Sequence, residues 1–512
     1  MTLTPENLRY ILGLKMKALR QRKGVSLTEL AERSGLSVSY LSEIENGRKF
    51  PTPEKLIRLA KTFEIGYEEL VSPQLSGELD PLAVFFQSEF VTEFPFGLFG
   101  LQAGDLLGLV KHDPAKAAAF VQTFLEIGRS YDMQVEQFLF AALRSYQRLH
   151  SNYFPELEEA ALEFRQARGW PSGQVPEEGL REYLEEELGY VVEDDVLPTM
   201  PELGNLRSVY LPGEPTRLLI NPQLAPSQKA FIYAREIGFH ELRLDRREKT
   251  PAWVRVESFE QVLSDFKASY FAGALLVDGD ALAGALGDFL SRETWDSAAY
   301  VKLMKDFGST PEAFSYRMSQ VLPGRLGIDK LYFMRFHHVM GSAEYEMNKM
   351  LNLTGMAVPR GVGLTEHYCR RWVTTRALKE LDERLAAGEP RSHFREVSPL
   401  VRAERVTFVQ ESAEFFVITL AHPLRDPSKT SSITLGFLID DNFKRVVRFW
   451  DDPAIKRWQV GLTCERCPLP PESCDLRQIG PIFQERALRQ ERQLEVLRRL
   501  REETVPAVTE ER

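Results

Sequence analysis

The chain has 512 residues, of which 43% are hydrophobic and 27% are charged. This composition is typical of a folded globular protein, and the length predicts three or four domains. No apolar run reaches the roughly 20 residues needed to cross a bilayer, and the N-terminus lacks the pattern of a secretory signal. We therefore expect a cytoplasmic protein with no membrane segment. Four cysteines are too few for a disulfide scaffold.

The net charge of −10 is unevenly distributed along the chain. Residues 8–61 hold twelve Lys or Arg and five Glu, a net charge of +7, which leaves about −17 for the rest of the chain. The negative total argues against a protein that coats nucleic acid non-specifically. A basic segment joined to an acidic body instead suits a DNA-binding head attached to a sensor or dimerisation body.

The basic segment has the pattern of a small helical domain over residues 8–71. Apolar residues in RYILGLKMKALRQRK recur at helical spacing and predict a first helix. Ser26 is a suitable N-cap for a second helix ending at Gly35, and Ser37 for a third ending at Gly47. The remaining helices of a five-helix core are predicted from about Thr52 to Phe63 and from Tyr67 to Val71.

The run LTELAERSGLSVSYLSEIENGRKFPTPEKLIRLAKTFEI resembles the xenobiotic-response-element family of phage-repressor-like domains. The resemblance implies a helix-turn-helix whose second helix enters the major groove of DNA. Members of that family often have Gln at the position of Leu27 and Arg at that of Val38, so Val38 is expected to contact a thymine methyl group. The residues expected to contact DNA are Thr28, Ser37, Val38, Ser39, Tyr40, Ser42, Glu43, Asn46, Arg48 and Lys49. An all-helical interaction domain that binds no DNA is the alternative.

From residue 81 to 168 the pattern is helical throughout and predicts a bundle of three or four helices. Phe85, Phe86, Phe90, Phe94 and Phe96 could line a ligand pocket, but aromatic residues at this spacing are more typical of a core. We interpret this segment as a spacer and dimer contact.

Residues 170–310 begin with short β-like runs, followed by the helical run PSQKAFIYAREIGFHELRL. A strand pair followed by this helix is similar to the ImmA/IrrE metallopeptidase-like domain, whose helix carries His-Glu-x-x-His. At the two His positions this chain has Arg235 and Phe239, although Glu236, the general base of the family, is retained. His240 is one residue out of register and does not replace either ligand.

The loss of both imidazoles disfavours catalysis, because a zinc hydrolase needs three protein ligands and an open position. Arginine cannot lose its proton to bind zinc. We therefore predict a protein that is not an enzyme, and the alternative, a metallopeptidase that cleaves a repressor, is disfavoured. Two interpretations of the former cleft stay open. Arg235, Glu236 and Lys267 could form a small-molecule site for an anionic ligand, or Arg235 could simply pair with Glu236 or Glu241 at the surface.

Residues 311–483 mix a helix with β-like runs, among them SSITLGFLI and KRVVRFW, and predict an α+β sensor domain. The end, VGLTCERCPLPPESCDLRQIGP, resembles the C-terminal domain of the short-chain fatty-acid regulators, which join a phage-repressor-like head to an ImmA/IrrE-like middle. The resemblance implies that Cys464, Cys467, Cys474 and, in EHYCRRW, Cys369 occupy family positions. It also implies an acyl-CoA or a related product of short-chain acid metabolism as the effector.

Four convergent thiolates would suit one structural zinc ion, and an iron–sulfur cluster uses the same number of ligands. Cysteines that bind no metal are the third alternative, since Cys369 lies nearly a hundred residues before the others. Residues 484–512 are predicted to form a charged helix and a tail, with too irregular an apolar stripe for a coiled coil.

Together these patterns predict a multidomain protein, mainly α with α+β. Its parts are a five-helix helix-turn-helix head, a helical spacer bundle, an ImmA/IrrE-like α+β domain and a C-terminal α+β sensor domain. The predicted function is that of a transcriptional regulator, a homodimer that binds a double-stranded DNA operator and responds to a small-molecule effector. A phage-type repressor or antitoxin acting through protein contacts would not require so long a body.

Overall fold

The structure, a computed structural model, describes residues 5–72, 98, 135–170, 175–200, 203, 206–244, 258–354, 366–389, 399–409 and 413–504. The chain divides into two compact units, residues 1–146 with 246–265 and residues 147–245 with 266–512. Most of the predicted spacer bundle, including its five Phe, lies outside the described residues. None of the helices in the described ranges is long and apolar enough to cross a membrane.

The N-terminal head belongs to the first unit and consists of five helices. Their bounds are α1 Pro5–Arg22, α2 Leu27–Ser34, α3 Val38–Glu45, α4 Pro53–Phe63 and α5 Tyr67–Val71. The predicted N-caps are confirmed, because the side chains of Ser26 and Ser37 accept the backbone N–H groups of Glu29 and Tyr40. Gly35 ends α2 in the left-handed conformation, at φ 66°.

The head is held together by close packing of α1 against α3. Leu41 and Ile44 of α3 are fully buried in the core of the head. Gly13 of α1 lies so close to α3 that a Cβ atom there would come within 2.4 Å of the Ile44 carbonyl oxygen. Arg20 of α1 pairs with Glu45 at 2.7 Å, and both side chains are largely buried. These contacts bury one face of α3 and leave the opposite face at the surface.

The predicted strand pair followed by a helix is confirmed in the second unit. Three strands form a sheet in the order β1–β3–β2, in which β1 is parallel and β2 antiparallel to β3. The elements between residues 135 and 276 are α6 Val135–Leu149, α7 Pro155–Ala167, α8 Glu177–Glu182, β1 Tyr190–Glu193, β2 Ser208–Leu211, β3 Thr216–Ile220, α9 Pro226–Glu241 and α10 Phe259–Leu276. Most of α6 and the first residues of α10 belong to the first unit. A π-helical turn at Tyr183–Glu187 continues α8.

The rest of the second unit contains a six-stranded sheet in the order β5–β4–β8–β7–β6–β9, with only the β6–β9 pair parallel. Its elements are α11 Gly279–Leu290, α12 Ser297–Asp306, α13 Pro311–Leu326, β4 Leu331–Val339, β5 Tyr345–Asn352, α14 Val373–Ala386, β6 Leu400–Phe408, β7 Ala413–Pro423, β8 Lys429–Leu438, α15 Asp441–Val446, β9 Lys456–Val460 and α16 Pro481–Thr504. The mainly α, multidomain α+β architecture is thereby confirmed, as is the charged helix near the C-terminus.

Both faces of the large sheet are buried, because successive residues of a strand point to opposite faces and the central residues of β7 are buried on both. In β7, Phe416 and Ile418 pack in the core formed with α11, α12 and α13. Phe415 and Val417 point to the opposite face and pack with Val373 of α14. One hydrophobic core therefore joins residues 277–328 to the sheet.

A buried ion pair ties three helices of this unit together. Arg317 of α13, whose side chain is 1% exposed, contacts the carboxylate of Glu158 of α7 at 2.6 Å. The Tyr270 hydroxyl of α10 donates to the same carboxylate at 2.7 Å. Burial raises the pKa of Glu158, but the hydrogen bond and charge of Arg317 lower it below its ordinary value.

The prediction of a strand at KRVVRFW is wrong, because this run is helical. It contains the end of α15 and a short 3-10 helix, Arg448–Asp451. Asp440 caps α15 by accepting the Phe443 N–H at 2.9 Å. Phe443 and Val447, one helical turn apart, are both buried in the core, so packing favours the helix over a strand. The sequence analysis also missed β5, β9 and α14.

Candidate nucleic-acid interface and cysteine site

Six of the ten residues predicted to contact DNA lie on α3 or at its N-cap, Ser37. Ser37, Val38 and Ser39 at its N-terminal end are exposed, and the Val38 side chain is 41% exposed. Thr28 near the start of α2 is also exposed. Because the N-terminal end of a recognition helix is the part that contacts bases, this face has the shape and exposure that base recognition needs.

Beyond α3, basic side chains gather around the ring of Tyr40. The Lys49 ammonium group lies 5.7 Å and that of Lys55 4.1 Å from the ring centroid. Lys49 also pairs with Glu43 at 2.8 Å, and this hydrogen bond raises the pKa of Lys49. The sequence analysis missed Lys55, because it lies on α4 and only the folded head brings it to Tyr40.

Other predicted contact residues are partly engaged within the head. The side-chain amide of Asn46 donates to the Ser42 carbonyl oxygen at 2.7 Å. Arg48 is exposed beside it. Leu27, which occupies the position where related domains often carry Gln, packs against the core of the head. A phosphate contact from that position is therefore replaced by packing.

In the middle of the chain, α9 carries the residues at the former metallopeptidase positions. Arg235 is 7% and Glu236 4% exposed, so the prediction that Arg235 pairs at the surface is wrong. The Arg235 guanidinium lies 5.5 Å from the centroid of the Phe239 ring. A cation–π pair thus stands at the two positions where the family has imidazole ligands, and neither side chain can donate electrons to zinc.

Tyr190 of β1 connects two polar residues of α9. Its hydroxyl lies 3.0 Å from Nε2 of His240 and donates to Glu236 at 3.4 Å. Glu241, the second carboxylate considered as a partner of Arg235, instead accepts a hydrogen bond from Tyr183 at 3.0 Å. Lys267 is partly buried on α10. Glu236 is therefore held by a tyrosine in a buried setting.

Near the C-terminus, all four cysteines line one small cavity. An antiparallel bridge between Tyr368 and Thr463 brings the two segments together. The backbone N–H of Cys369 donates to Leu462 at 3.1 Å, and that of Cys464 donates to His367 at 2.8 Å. The convergence that the sequence could only assume is therefore produced by backbone pairing across more than ninety residues.

The sulfur atoms around this cavity differ in exposure. Cys369 and Cys464 are buried, while Cys467 and Cys474 are partly exposed. Burial raises the pKa of Cys369 to about 11, although the backbone N–H groups of Arg371 and Gly461 oppose this shift. Arg477 donates to the Cys467 carbonyl oxygen at 2.7 Å, which holds that turn in place.

The donor set around the cavity fits a thiophilic metal, since four cysteines are the ligands that structural zinc and iron–sulfur clusters use. Arginines that line the cavity with them, among them Arg370, suit the negative charge of a tetrathiolate group. Among the described residues, however, no group of three or more Cys, His, Asp or Glu side chains is already gathered tightly enough to hold a metal ion. The thiols would have to close around one.

Two family models match the chain. Residues 16–70 match a helix-turn-helix domain, and residues 195–319 match an IrrE N-terminal-like domain. These matches confirm the resemblances drawn for the head and for the middle of the chain. The resemblance to the short-chain fatty-acid regulators stays a prediction. No curated protein matches the chain significantly.

Two solved structures show a weaker likeness. A Mycobacterium tuberculosis transcriptional regulator is 19% identical, with a TM-score of 0.46, and the match covers 66% of this chain and 94% of that one. A hypothetical transcription factor from Neisseria is 27% identical, with a TM-score of 0.13, and the match covers 14% of this chain and 84% of that one. At these levels neither says what this chain binds. The family models show that the chain carries an N-terminal helix-turn-helix domain followed by an IrrE N-terminal-like domain.

Proposed function

We propose that this protein is a transcriptional regulator that binds a DNA operator through its helix-turn-helix head. The observation that carries the proposal is the outward face of α3. Ser37 caps this helix, and Val38 and Ser39 are exposed at its N-terminal end. Lys49 and Lys55 flank that face and would neutralise phosphates. The helix-turn-helix match supports the same function.

The test is binding of the full-length protein to DNA from its own promoter region, followed by fluorescence anisotropy at several salt concentrations. We expect saturable binding whose affinity falls with salt, because phosphate contacts release counterions. An unrelated duplex of equal length is the control. Equal affinity for both duplexes, or no binding to either, would contradict sequence-specific recognition.

We further propose that the regulator acts as a homodimer whose operator binding responds to an anionic metabolite, with acyl-CoA as the first candidate. Arg235, Glu236 and Lys267 are the proposed contacts. Supporting this, Arg235 is a buried cation at the place where the related peptidases bind metal. Short-chain acyl-CoA should change the operator affinity, and Arg235→Met should abolish that change while Arg292→Met, at an exposed site, should not.

A dimer predicts that the bound operator contains two half-sites related by a two-fold axis. Light scattering and footprinting would measure the mass of the free protein and the spacing of the half-sites.

A response to acyl-CoA in the Arg235→Met variant would exclude Arg235 as the effector contact while leaving the DNA-binding function intact.

We propose no catalytic role for the IrrE-like domain. Arg235 and Phe239 stand at the family's His positions, and neither can bind zinc. The alternative function, cleavage of a repressor, requires a zinc-dependent activity that Glu236→Gln abolishes. Incubation of the zinc-treated protein with candidate repressors, followed by mass spectrometry, would reveal such cleavage.

Finally, we propose that Cys369, Cys464, Cys467 and Cys474 hold one structural zinc ion or, as the alternative, an iron–sulfur cluster. The carrying observation is that all four line the same cavity. A bound group would crosslink segments that lie far apart in the chain and stabilise this end of the protein. Metal and sulfide analysis of protein purified without oxygen distinguishes the two, and a well-folded, metal-free protein would contradict both.

A further inference from the structure

Three arginines line the cysteine cavity, and two of them hold its backbone. Arg371 donates to the Gln459 carbonyl oxygen at 3.3 Å and also to that of Ser473. Arg477 donates to the Cys467 carbonyl oxygen. Both side chains therefore fix the path of the chain around the cysteines.

Arg370 is bound differently. Its Nε and Nη2 atoms donate to Oε1 of Gln478 at 3.0 and 2.6 Å, and Nη2 also donates to the Ala343 carbonyl oxygen. The remaining nitrogen, Nη1, is buried and donates to no atom of the described residues. A charged donor left buried without a partner is costly, which makes this nitrogen an exception among the buried polar groups.

The guanidinium of Arg370 is held in a fixed position beside the cavity. It lies 4.6 Å from the centroid of the Tyr345 ring. That ring in turn stacks on His338 at 4.4 Å and 11°, and His338 bonds to Asp382 of α14 at 2.9 Å. Burial of the guanidinium lowers the pKa of Arg370. The guanidinium therefore lines the cavity together with the four cysteines.

We propose that Arg370 is a positioning residue of the cysteine site, whose Nη1 donates a hydrogen bond to a cysteine sulfur of the metal-bound group and offsets its negative charge. The inference rests on the proposed metal-binding role of the cysteines. Four thiolates around a divalent metal carry a net charge of −2, which the low-dielectric surroundings would penalise without a nearby cation. The unpartnered nitrogen supplies both the charge and the hydrogen bond.

The test compares Arg370→Gln with Arg466→Gln in the full-length protein. Arg466 lies between Cys464 and Cys467, but its side chain is 64% exposed and pairs with Glu366. Arg466→Gln therefore removes the same charge as Arg370→Gln, but from an exposed site. Zinc affinity is measured by competition with a chromophoric chelator. We expect Arg370→Gln to bind zinc about 10- to 100-fold more weakly and Arg466→Gln to stay within about threefold of wild type.

If wild-type protein instead holds an iron–sulfur cluster, the readout is its midpoint potential. Removal of a positive charge and of a hydrogen bond to sulfur destabilises the reduced, more negative cluster, so Arg370→Gln lowers the potential and Arg466→Gln does not. Arg370→Lys, which keeps the charge but not the planar donor, should lie between Arg370→Gln and wild type in either readout.

Equal behaviour of Arg370→Gln and Arg466→Gln would overturn the role of Arg370 and leave the cysteine site intact. A wild-type protein that binds neither zinc nor a cluster would overturn the cysteine site itself, and the role of Arg370 with it. Circular dichroism of the metal-free variants shows whether they fold. If Arg370→Gln does not fold, Arg370→Lys is compared with Arg466→Lys, and equal affinities would again contradict the proposal.

Discussion

The DNA-binding head and the cysteine site assemble their residues over very different distances along the chain. All the contacts predicted for the head lie between Thr28 and Lys49, on two consecutive helices and the loop that follows. In the cysteine site, the helices α14 and α15 and four strands of the large sheet separate Cys369 from Cys464. The first site depends on local helix signals and the second on correct pairing of distant segments.

This difference indicates which substitutions should affect only the head and which should affect the body. All six tryptophans lie outside residues 5–72, and five of them lie in the second unit, namely Trp170, Trp295, Trp372, Trp450 and Trp458. Their fluorescence therefore reports on the body, whereas operator binding reports on the head. A change in the head should alter DNA binding and leave the tryptophan signal unchanged. A change where the segments of Cys369 and Cys464 meet should alter the unfolding curve measured by tryptophan fluorescence.

The largest effect is expected in the core of the head. Leu41→Ala removes a fully buried side chain of α3 and should destabilise the head by about 2–5 kcal/mol. Operator binding should be lost, while urea unfolding followed by tryptophan fluorescence stays unchanged. Ile57→Ala, at a 45% exposed site on α4, is the control and should keep operator binding and leave the stability of the head within about 0.5 kcal/mol. Loss of the tryptophan transition in Leu41→Ala would contradict the prediction that the body keeps its stability when the head is destabilised.

A smaller effect is expected where the cysteine segments meet. Glu465, whose side chain is 0% exposed, accepts hydrogen bonds from the His367 backbone and ring and from the Gly480 N–H. Glu465→Ala leaves these donors unpaired and should destabilise the body by about 1–3 kcal/mol. Tryptophan-detected urea unfolding measures the loss, and exposed Glu472→Ala is the control. Weakened operator binding without a loss of body stability would contradict this prediction, because the effect would then lie in the head.

A third prediction concerns pH. Burial and the charge of Arg335 lower the pKa of His337 from 6.5 to about 4, so folding holds this imidazole neutral. The unfolded chain binds a proton more readily, and the resulting loss of stability begins as the pH falls below 6.5 and is complete near 4. We expect His337→Gln to reduce the loss of body stability between these pH values by about 1–2 kcal/mol.

The head has no histidine between residues 5 and 72, so histidine titration within it cannot contribute to its stability over the same pH range. Tryptophan-detected urea unfolding at pH 7, 6, 5 and 4 measures the body. Identical pH dependence in wild type and His337→Gln would refute the role of this side chain.

The smallest effect is expected for Lys55, the basic residue that folding adds to the DNA-binding face. Lys55→Ala should reduce the slope of log affinity against log salt by about 1 and weaken binding evenly across operator sequences. Lys302→Ala, on an exposed helix of the body, is the control. A change in sequence preference instead of in the salt slope would indicate that Lys55 contacts a base.

Local sequence patterns were enough to predict the helices of the head and to identify Arg235 and Phe239 at the two positions where the related domains have His. Ser26, Ser37 and Gly35 specify helix ends through local hydrogen bonds and backbone conformation, so the helix-turn-helix follows from short-range rules. The substitutions at 235 and 239 likewise remove metal ligands whatever surrounds them.

Other features depend on contacts between distant segments and became visible in the folded structure. It buried Arg235, brought Lys55 to Tyr40, turned the run after Asp440 into a helix and joined Cys369 to the other cysteines. Each outcome depends on which surface a segment packs against, and that surface comes from residues far along the chain. Local pattern sets the helix caps, whereas the pairing of distant segments sets burial and convergence.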